Sequence, residues 1–410
     1  MIAGYWRLIR AHPRFLGFGF LLAFVSSFGQ TFYVALFGGE IRDAFNLSHG
    51  EFGEAYSLAT LTSGLLLTFA GKRIDHLDLR LYAVVLVMGL AAACLTLSVS
   101  QGVITLAIGF FMLRLFGQGL LSHAAVTSMA RYFDAGQRGK AVSVAALGFP
   151  AGEAVFPLMG VGLIAWLGWR DSWQMSSLLI VVLLPAALLW LLRGHGARHQ
   201  AYLAARQAAD ENRGGGDRTV GQVLRDWRFH LAMTAFAGPS FVITGIFFHQ
   251  VHLVDEKGWT LALFASGVAI YAAFQLGTGI AIGPVVDRRG ARRVGRYYQT
   301  PYIVALAALA LSDHWGAGLV FMIFGGIASG MASNIKTTLW AELYGTRHLG
   351  GIRALTAAID VVASALSPAL MGWAIDAGVS MNTLSLMCAG HGLYAVILLS
   401  VLLGRWRPVG

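Results

Sequence analysis

Long apolar runs alternate with short polar connections along nearly the whole chain. About 20 consecutive apolar residues in helical form cross a bilayer core. Twelve runs approach that length: roughly Phe15–Phe37, Phe52–Ala70, Leu79–Val99, Val103–Met129, Ala141–Trp166, Ser172–Leu192, Phe229–Leu253, Leu261–Pro284, Val294–Leu311, Ala317–Trp340, Ala354–Ile375 and Leu384–Leu403. Six lie on either side of a polar stretch rich in Arg and Gly, between Arg193 and Arg228. The pattern predicts an all-α polytopic membrane protein with twelve transmembrane helices in two six-helix halves, residues 1–192 and 229–410. Residues 193–228 form the linker, with a surface helix around 200–210.

A charged turn occurs twice at the same place in this pattern. Gly71, Asp75 and Arg80 sit in GKRIDHLDLR, while Gly283, Asp287 and Arg292 sit in GPVVDRRGAR with the same spacing. The second copy also carries Arg288 and Gly290. Each copy follows two apolar runs and precedes a third. A two-fold repeat of this kind predicts a substrate site near mid-bilayer where the repeats meet, so transport is the leading function before any substrate is considered.

Composition sharpens this reading. Hydrophobic residues make up 57% of the chain and charged residues 12%, against about 25% charged in soluble domains; the mean hydropathy is +0.65. The net charge of +10 could suggest nucleic acid, but its distribution points elsewhere. Arg7, Arg10 and Arg14 precede the first run, Arg131, Arg138 and Lys140 follow the fourth, and Arg288, Arg289, Arg292, Arg293 and Arg296 follow the eighth. Connections on the other side carry only Arg42, Arg170 and Lys257. This bias places both termini in the cytoplasm, makes the lipid bilayer the partner rather than nucleic acid, and suits a monomer in a bacterial inner membrane. Cys94 and Cys388 lie in separate apolar runs and support neither a disulfide framework nor a Cys-rich metal site. The first run is span-length with no small-residue cleavage site and reads as an uncleaved span.

The fourth run contains RLFGQG, in which Arg114, Gly117 and Gly119 form an R-x-x-G-x-G pattern, and the fifth contains Gly148, Gly152 and Pro157. With the paired turns and the twelve runs, these resemble the major facilitator superfamily over essentially the whole chain. ARYFDAGQRGKAV, followed by the glycine-rich fifth run, is similar to the monocarboxylate and oxalate–formate branch. A second similarity is to bacterial copper-importing and riboflavin-importing members. The resemblance implies alternating access, with the charged turns as gates. The chain departs from it in places: His76 and Asp78 stand where the family usually has a basic residue and Gly, and the eighth run has no Arg for a carboxylate. The Met-x-x-x-Met and His-x-x-x-Met motifs of copper importers are missing.

A charge near the bilayer centre costs at least about 2.5–3.5 kcal/mol by insertion scales. Arg114, Glu153, Lys336 and Asp360 lie at such depths. Arg114 is a scaffold charge or a coupling element; Glu153 is a proton carrier or a partner of Arg114. Lys336 attracts an anion or snorkels to the interface, and Asp360 neutralises it or carries protons itself. Uncharged polar residues accompany them: Gln30 and Tyr33 in the first run, Gln118 in the fourth, Gln275 in the eighth and Asn334 beside Lys336. His249, Gln250 and His252 end the seventh. His249 and His252, with Met233, are weak metal candidates; an outer hydrogen-bonding role is the stronger reading. No phosphate loop, zinc motif or nucleophile elbow occurs, so neither an enzyme nor a bound cofactor is expected, and the energy source is an ion or solute gradient. The expectation is a secondary active transporter of a small organic solute, anionic and proton-coupled or exchanging a counter-solute. Copper or riboflavin import is the alternative within transport; a non-transporting membrane sensor or assembly factor is the alternative outside it.

Overall fold

The computed structural model describes residues 2–71, 74, 77–196, 198–200, 219–345 and 348–406. Every regular element among them is helical. Asp75 and the surface helix expected around 200–210 lie outside the described residues.

A short helix, α1 (Ile2–Ala11), precedes the passes. The first pass is broken: α2 (Pro13–Val25), a tight turn at Ser26–Gly29, and α3 (Thr31–Val34). Helix α4 (Gly38–Phe45) leads to α5 (His49–Ala70) and α6 (Leu79–Ser98). The fourth pass is α7 (Val103–Met112), a π-helical stretch Leu113–Leu121, and α8 (Ser122–Tyr132). Helices α9 (Ala135–Ala146) and α10 (Gly148–Leu191) hold the fifth and sixth passes, separated where Gly168 leaves helical geometry (φ 72°, ψ 174°). After α11 (Val220–Leu224), the seventh pass comprises α12 (Trp227–Phe236), α13 (Gly238–Phe248) and α14 (Gln250–Lys257). The remainder are α15 (Leu261–Arg289), α16 (Ala291–Gly295) with α17 (Thr300–Leu311), α18 (Trp315–Tyr344), α19 (Leu349–Asp376) and α20 (Met381–Arg405). This is the twelve-helix order that the hydropathy pattern predicts. Among the described residues, eight helical stretches are long and apolar enough to cross a membrane; Gly136–Leu191, at 56 residues, counts there as one. The other passes fall short only because they are broken, brief or interrupted by polar residues.

The helices gather into two compact units, Met1–Phe45 with Leu58–Gly214, and Asn46–Ser57 with Gly215–Gly410. In the first, α10 packs along α6 and α2, around a cluster in which the Tyr33 ring meets Phe28, Phe37, Phe156 and Trp173 edge-on at 5.3–5.5 Å. In the second, α15 and α18 form the most extensive pair, and Phe229, Phe236, Tyr298, Trp340 and Tyr344 fill a buried core.

Two of the sparse cations, Arg170 and Lys257, have a structural explanation. Arg170 donates to the carbonyls of Ser98 and Ser100 at 2.9 and 2.6 Å, beyond the end of α6. Lys257 donates to those of Leu309 and Ser312 at 2.7 and 3.0 Å, at the end of α17. These are the last carbonyls of the third and ninth passes, which the repeat relates, and cations are favoured at such ends. The Lys257 side chain is fully buried and also meets Asp313 at 2.7 Å. Hydrogen bonds from Lys257 and Asn382 hold the Asp313 carboxyl below its ordinary pKa of 3.8. A depressed carboxylate pKa contributes stability above the unfolded value and loses it as pH falls through the folded one. Replacing Lys257 with Met should therefore lower the melting temperature at neutral pH. It should also remove the acid-dependent loss below about pH 4, read from melting curves of both proteins across pH.

Candidate functional site

In the first unit, polar chemistry gathers where the first pass breaks. Ser26, Ser27 and Gly29 are poor helix formers, and Ser26 Oγ turns back to the Ala23 carbonyl at 2.6 Å, a local bond that competes with the helix ladder. Gln30 is extended (φ −79°, ψ 146°) and half-buried. The break frees the Gly29 carbonyl, which accepts Arg114 Nη1 at 3.3 Å, and Thr31 Oγ1 accepts the same nitrogen at 3.3 Å. Arg114 is only 5% exposed, so its charge is held by the backbone that the break releases.

Arg114 and its glycines lie in the π-helical stretch Leu113–Leu121, a geometry frequent at functional sites. This gives the R-x-x-G-x-G pattern a physical meaning. A Cβ on Gly117 would stand 2.8 Å from Gly29 Cα, and one on Gly29 would collide with the Leu113 carbonyl oxygen. The two backbones cross at van der Waals contact, with the Gln118 amide against Gly29. Gly152 packs on the Ser27 side chain, where a Cβ would collide with the hydroxyl oxygen. Its neighbour Glu153 has a buried Oε2 with no hydrogen-bond partner among the described residues. Arg114 and Gln30 thus meet at the break, with the Gln118 backbone N–H against Gly29 and Gly152, next to Glu153, against Ser27, whereas Tyr33 belongs to the aromatic cluster beside it. Thr31 and Ser27 escape the sequence reading because they sit unmarked in an apolar run.

In the second unit, Lys336 of α18 and Asp360 of α19 form an ion pair, Nζ to the two carboxylate oxygens at 2.9 and 2.8 Å. Their side chains are 21% and 23% exposed. Asn334 does not face this pair with its amide; its Nδ2 donates to the Gly279 carbonyl at 2.9 Å. Gln275 lies where Gly326 and Gly330 of α18 press on the α15 backbone. The Asn334 amide thus joins α18 to α15.

At the other end of this unit, His249 Nε2 bonds the Pro368 carbonyl at 3.0 Å, and Gln250 is fully buried. His252 lies 3.6 Å from Glu256, with the His49 ring 4.5 Å away. Met233 packs in the separate core with Phe229 and Trp340. Among the described residues no group of three His, Cys, Asp or Glu is placed to hold a metal. The segment His49–Ser57 is fastened to α19. Asp376 accepts the backbone N–H groups of His49 and Gly50 at 3.0 and 2.7 Å, Glu54 accepts Trp373 Nε1 at 2.6 Å, and Ser57 Oγ accepts the Ala369 N–H at 3.2 Å. Asp376 serves as a helix cap supplied from another helix, which no local pattern announces.

The charged turns also have partners. In the first, Asp78 caps α6 by accepting the Arg80 N–H at 2.8 Å, which accounts for an acidic residue there, and Arg131 donates to the Ile74 carbonyl at 2.9 Å. In the second, Gly290 ends α15 with φ 79°, and the Arg292 N–H meets Glu342 at 3.3 Å. Gly283 has open space around it, and Asp287 and Arg288 lie in the last turn of α15. Arg131 and Glu342 occupy matching ends of the fourth and tenth passes. The charge bias counts Arg131 without its partner and overlooks Glu342.

Solved structures with the same fold include a bacterial homolog of the human lysosomal transporter Spinster. In its inward-facing, occupied conformation it is 14% identical with a TM-score of 0.65, over 97% of this chain and 95% of that one. In its inward-facing, unoccupied conformation the TM-score is 0.64 at 14% identity, over 96% of each chain. A search of curated proteins gives no match. The sequence profile of the Major Facilitator Superfamily matches residues 19–368. The helix order, the glycine crossing and this match together establish that the chain is an integral membrane protein and belongs to the major facilitator superfamily.

Proposed function

We propose that the chain is a secondary active transporter that carries a small organic anion together with a proton, by alternating access, in a bacterial inner membrane with both termini cytoplasmic. The observation that carries this reading is the Lys336–Asp360 pair. Half-buried and at span depth, it is costly to keep without a use. Protonating Asp360 frees the Lys336 ammonium for a substrate carboxylate; deprotonation returns Lys336 to Asp360 and releases the anion. One proton and one negative charge then travel together, with no net charge moved. Arg114 supplies a fixed positive charge in the first unit, and Glu153, in the same unit, is a second proton station.

Thermal stabilisation by a panel of carboxylates, flavins and copper salts tests the substrate class, since a ligand that binds only the folded protein raises its apparent stability. Stabilisation by copper alone would overturn the anion reading. Counterflow in liposomes separates a carrier from a sensor that binds without exchanging.

Two substitutions bear on coupling and gating. Glu153→Gln should leave exchange intact and flatten the pH dependence of uphill uptake by about tenfold across two pH units, measured in proteoliposomes with an imposed gradient; an unchanged profile removes Glu153 from the proton path. Asp287→Asn should slow turnover several-fold at unchanged expression, because this turn would form and break its ion pairs as the carrier cycles. Wild-type turnover in that variant would show that the second charged turn is only structural.

A further inference from the structure

The first described helix is too short to cross a membrane by itself. Helix α1 has ten residues, about half a span, and turns by 97° at His12 into the first pass. A short helix at right angles to a crossing helix lies along the membrane surface. Gly4, Arg7, Leu8 and Ala11, spaced to share one face of α1, line a cleft of about 270 Å³ with Gln137 and Lys140, one turn apart on α9. Two cations and an amide converge there, and no lining residue is acidic.

Gly4 makes room for the second cation. A Cβ at that position would stand 3.3 Å from Lys140 Nζ, so a bare α-carbon lets the ammonium into the cleft. Trp6, beside Arg7, is 58% exposed, and such rings favour the headgroup level of a bilayer. The Arg14 guanidinium sits 5.3 Å from the Trp190 ring at the foot of the first pass, which adds positive charge at the same level.

We propose that the α1–α9 cleft binds the phosphate of an anionic phospholipid. The Arg7 guanidinium forks onto two phosphate oxygens, Lys140 adds a point charge, and Gln137 bonds the headgroup. The ligand's acyl chains stay in the bilayer beside Trp6. A free phosphate would share the polar contacts, but nothing would then hold the exposed Trp6 side of α1.

The test uses the purified full-length protein in detergent with phosphatidylglycerol, phosphatidylcholine or soluble glycerol phosphate, read by native mass spectrometry and by melting temperature. Phosphatidylglycerol should be retained and should raise the melting temperature, and the other two should not. Each basic residue near an anionic surface contributes about 1 kcal/mol, so R7Q/K140Q should retain phosphatidylglycerol roughly thirtyfold more weakly. R7K/K140R should retain it, as should R138Q, which removes a charge on α9 outside the cleft. Gly4→Leu fills the cleft without changing charge or weakening the helix and should lose the lipid too. Equal retention of phosphatidylcholine, or wild-type retention by R7Q/K140Q or Gly4→Leu, would overturn the site. Equal stabilisation by glycerol phosphate alone would assign the cleft to a soluble anion and overturn the lipid.

Discussion

Lys336→Gln should weaken binding of an anionic substrate roughly a hundredfold while changing the binding of a neutral analogue only a few-fold. The variant loses the charge that meets the carboxylate and leaves Asp360 at span depth without its cation. Breaking a buried pair from one side costs about 3–5 kcal/mol, and the 21–23% exposure of these side chains places this case at the low end. The loss of stability and the loss of binding must be separated. K336Q/D360N replaces both charges with neutral groups of similar size, so it should recover most of the melting temperature lost by Lys336→Gln. It should not recover anion transport. Asp360→Asn alone leaves Lys336 permanently free. It should bind the anion at least as tightly as the wild type, exchange it, and fail to accumulate it against a gradient. If K336Q/D360N carries the anion at the wild-type rate, the pair is a strut and the anion reading falls with it.

The passes were legible in the sequence because each is defined by its own composition. The Gly168 boundary between Trp166 and Ser172 is an example: a polar, glycine-marked gap interrupts one continuous apolar stretch. The ion pair was half-legible, since the cost of charge at depth singles out Lys336 and Asp360 one by one, and their meeting depends on how α18 lies against α19. The break at Ser26–Gly29 was hidden because the dip at SSFGQT is short and apolar residues flank it on both sides. What holds it open is the approach of Gly117 from far along the chain, which hydropathy does not register. Asn334 stands out by type and depth, but its bond from Nδ2 to the Gly279 carbonyl depends on how α18 lies along α15.

Gly29→Val should abolish transport altogether and lower stability more than any other single change considered for this chain. The branched side chain would meet the Leu113 carbonyl, the Gln118 amide and Gly117 Cα at once, and all three are backbone atoms that cannot turn aside as a side chain can. Overpacking of a tight contact costs typically 1–3 kcal/mol, and this collision exceeds the typical case because neither partner is flexible. Forcing the first pass away from the fourth also strands Arg114, whose Nη1 loses the Gly29 carbonyl and Thr31 Oγ1 together. Arg114→Gln isolates that second effect. It keeps the glycine crossing and removes only the charge, so the variant should fold, bind the anion about tenfold to a hundredfold more weakly, and keep its response to Lys336 substitutions. Gly117→Ala is the milder control, adding one methyl against Gly29, and should reduce turnover before it reduces expression. These three variants, compared by melting temperature and counterflow, decide whether the crossing acts in transport or merely holds the first unit together. A Gly29→Val protein that folds and carries solute at the wild-type rate would show that neither the break nor the charge it holds takes part.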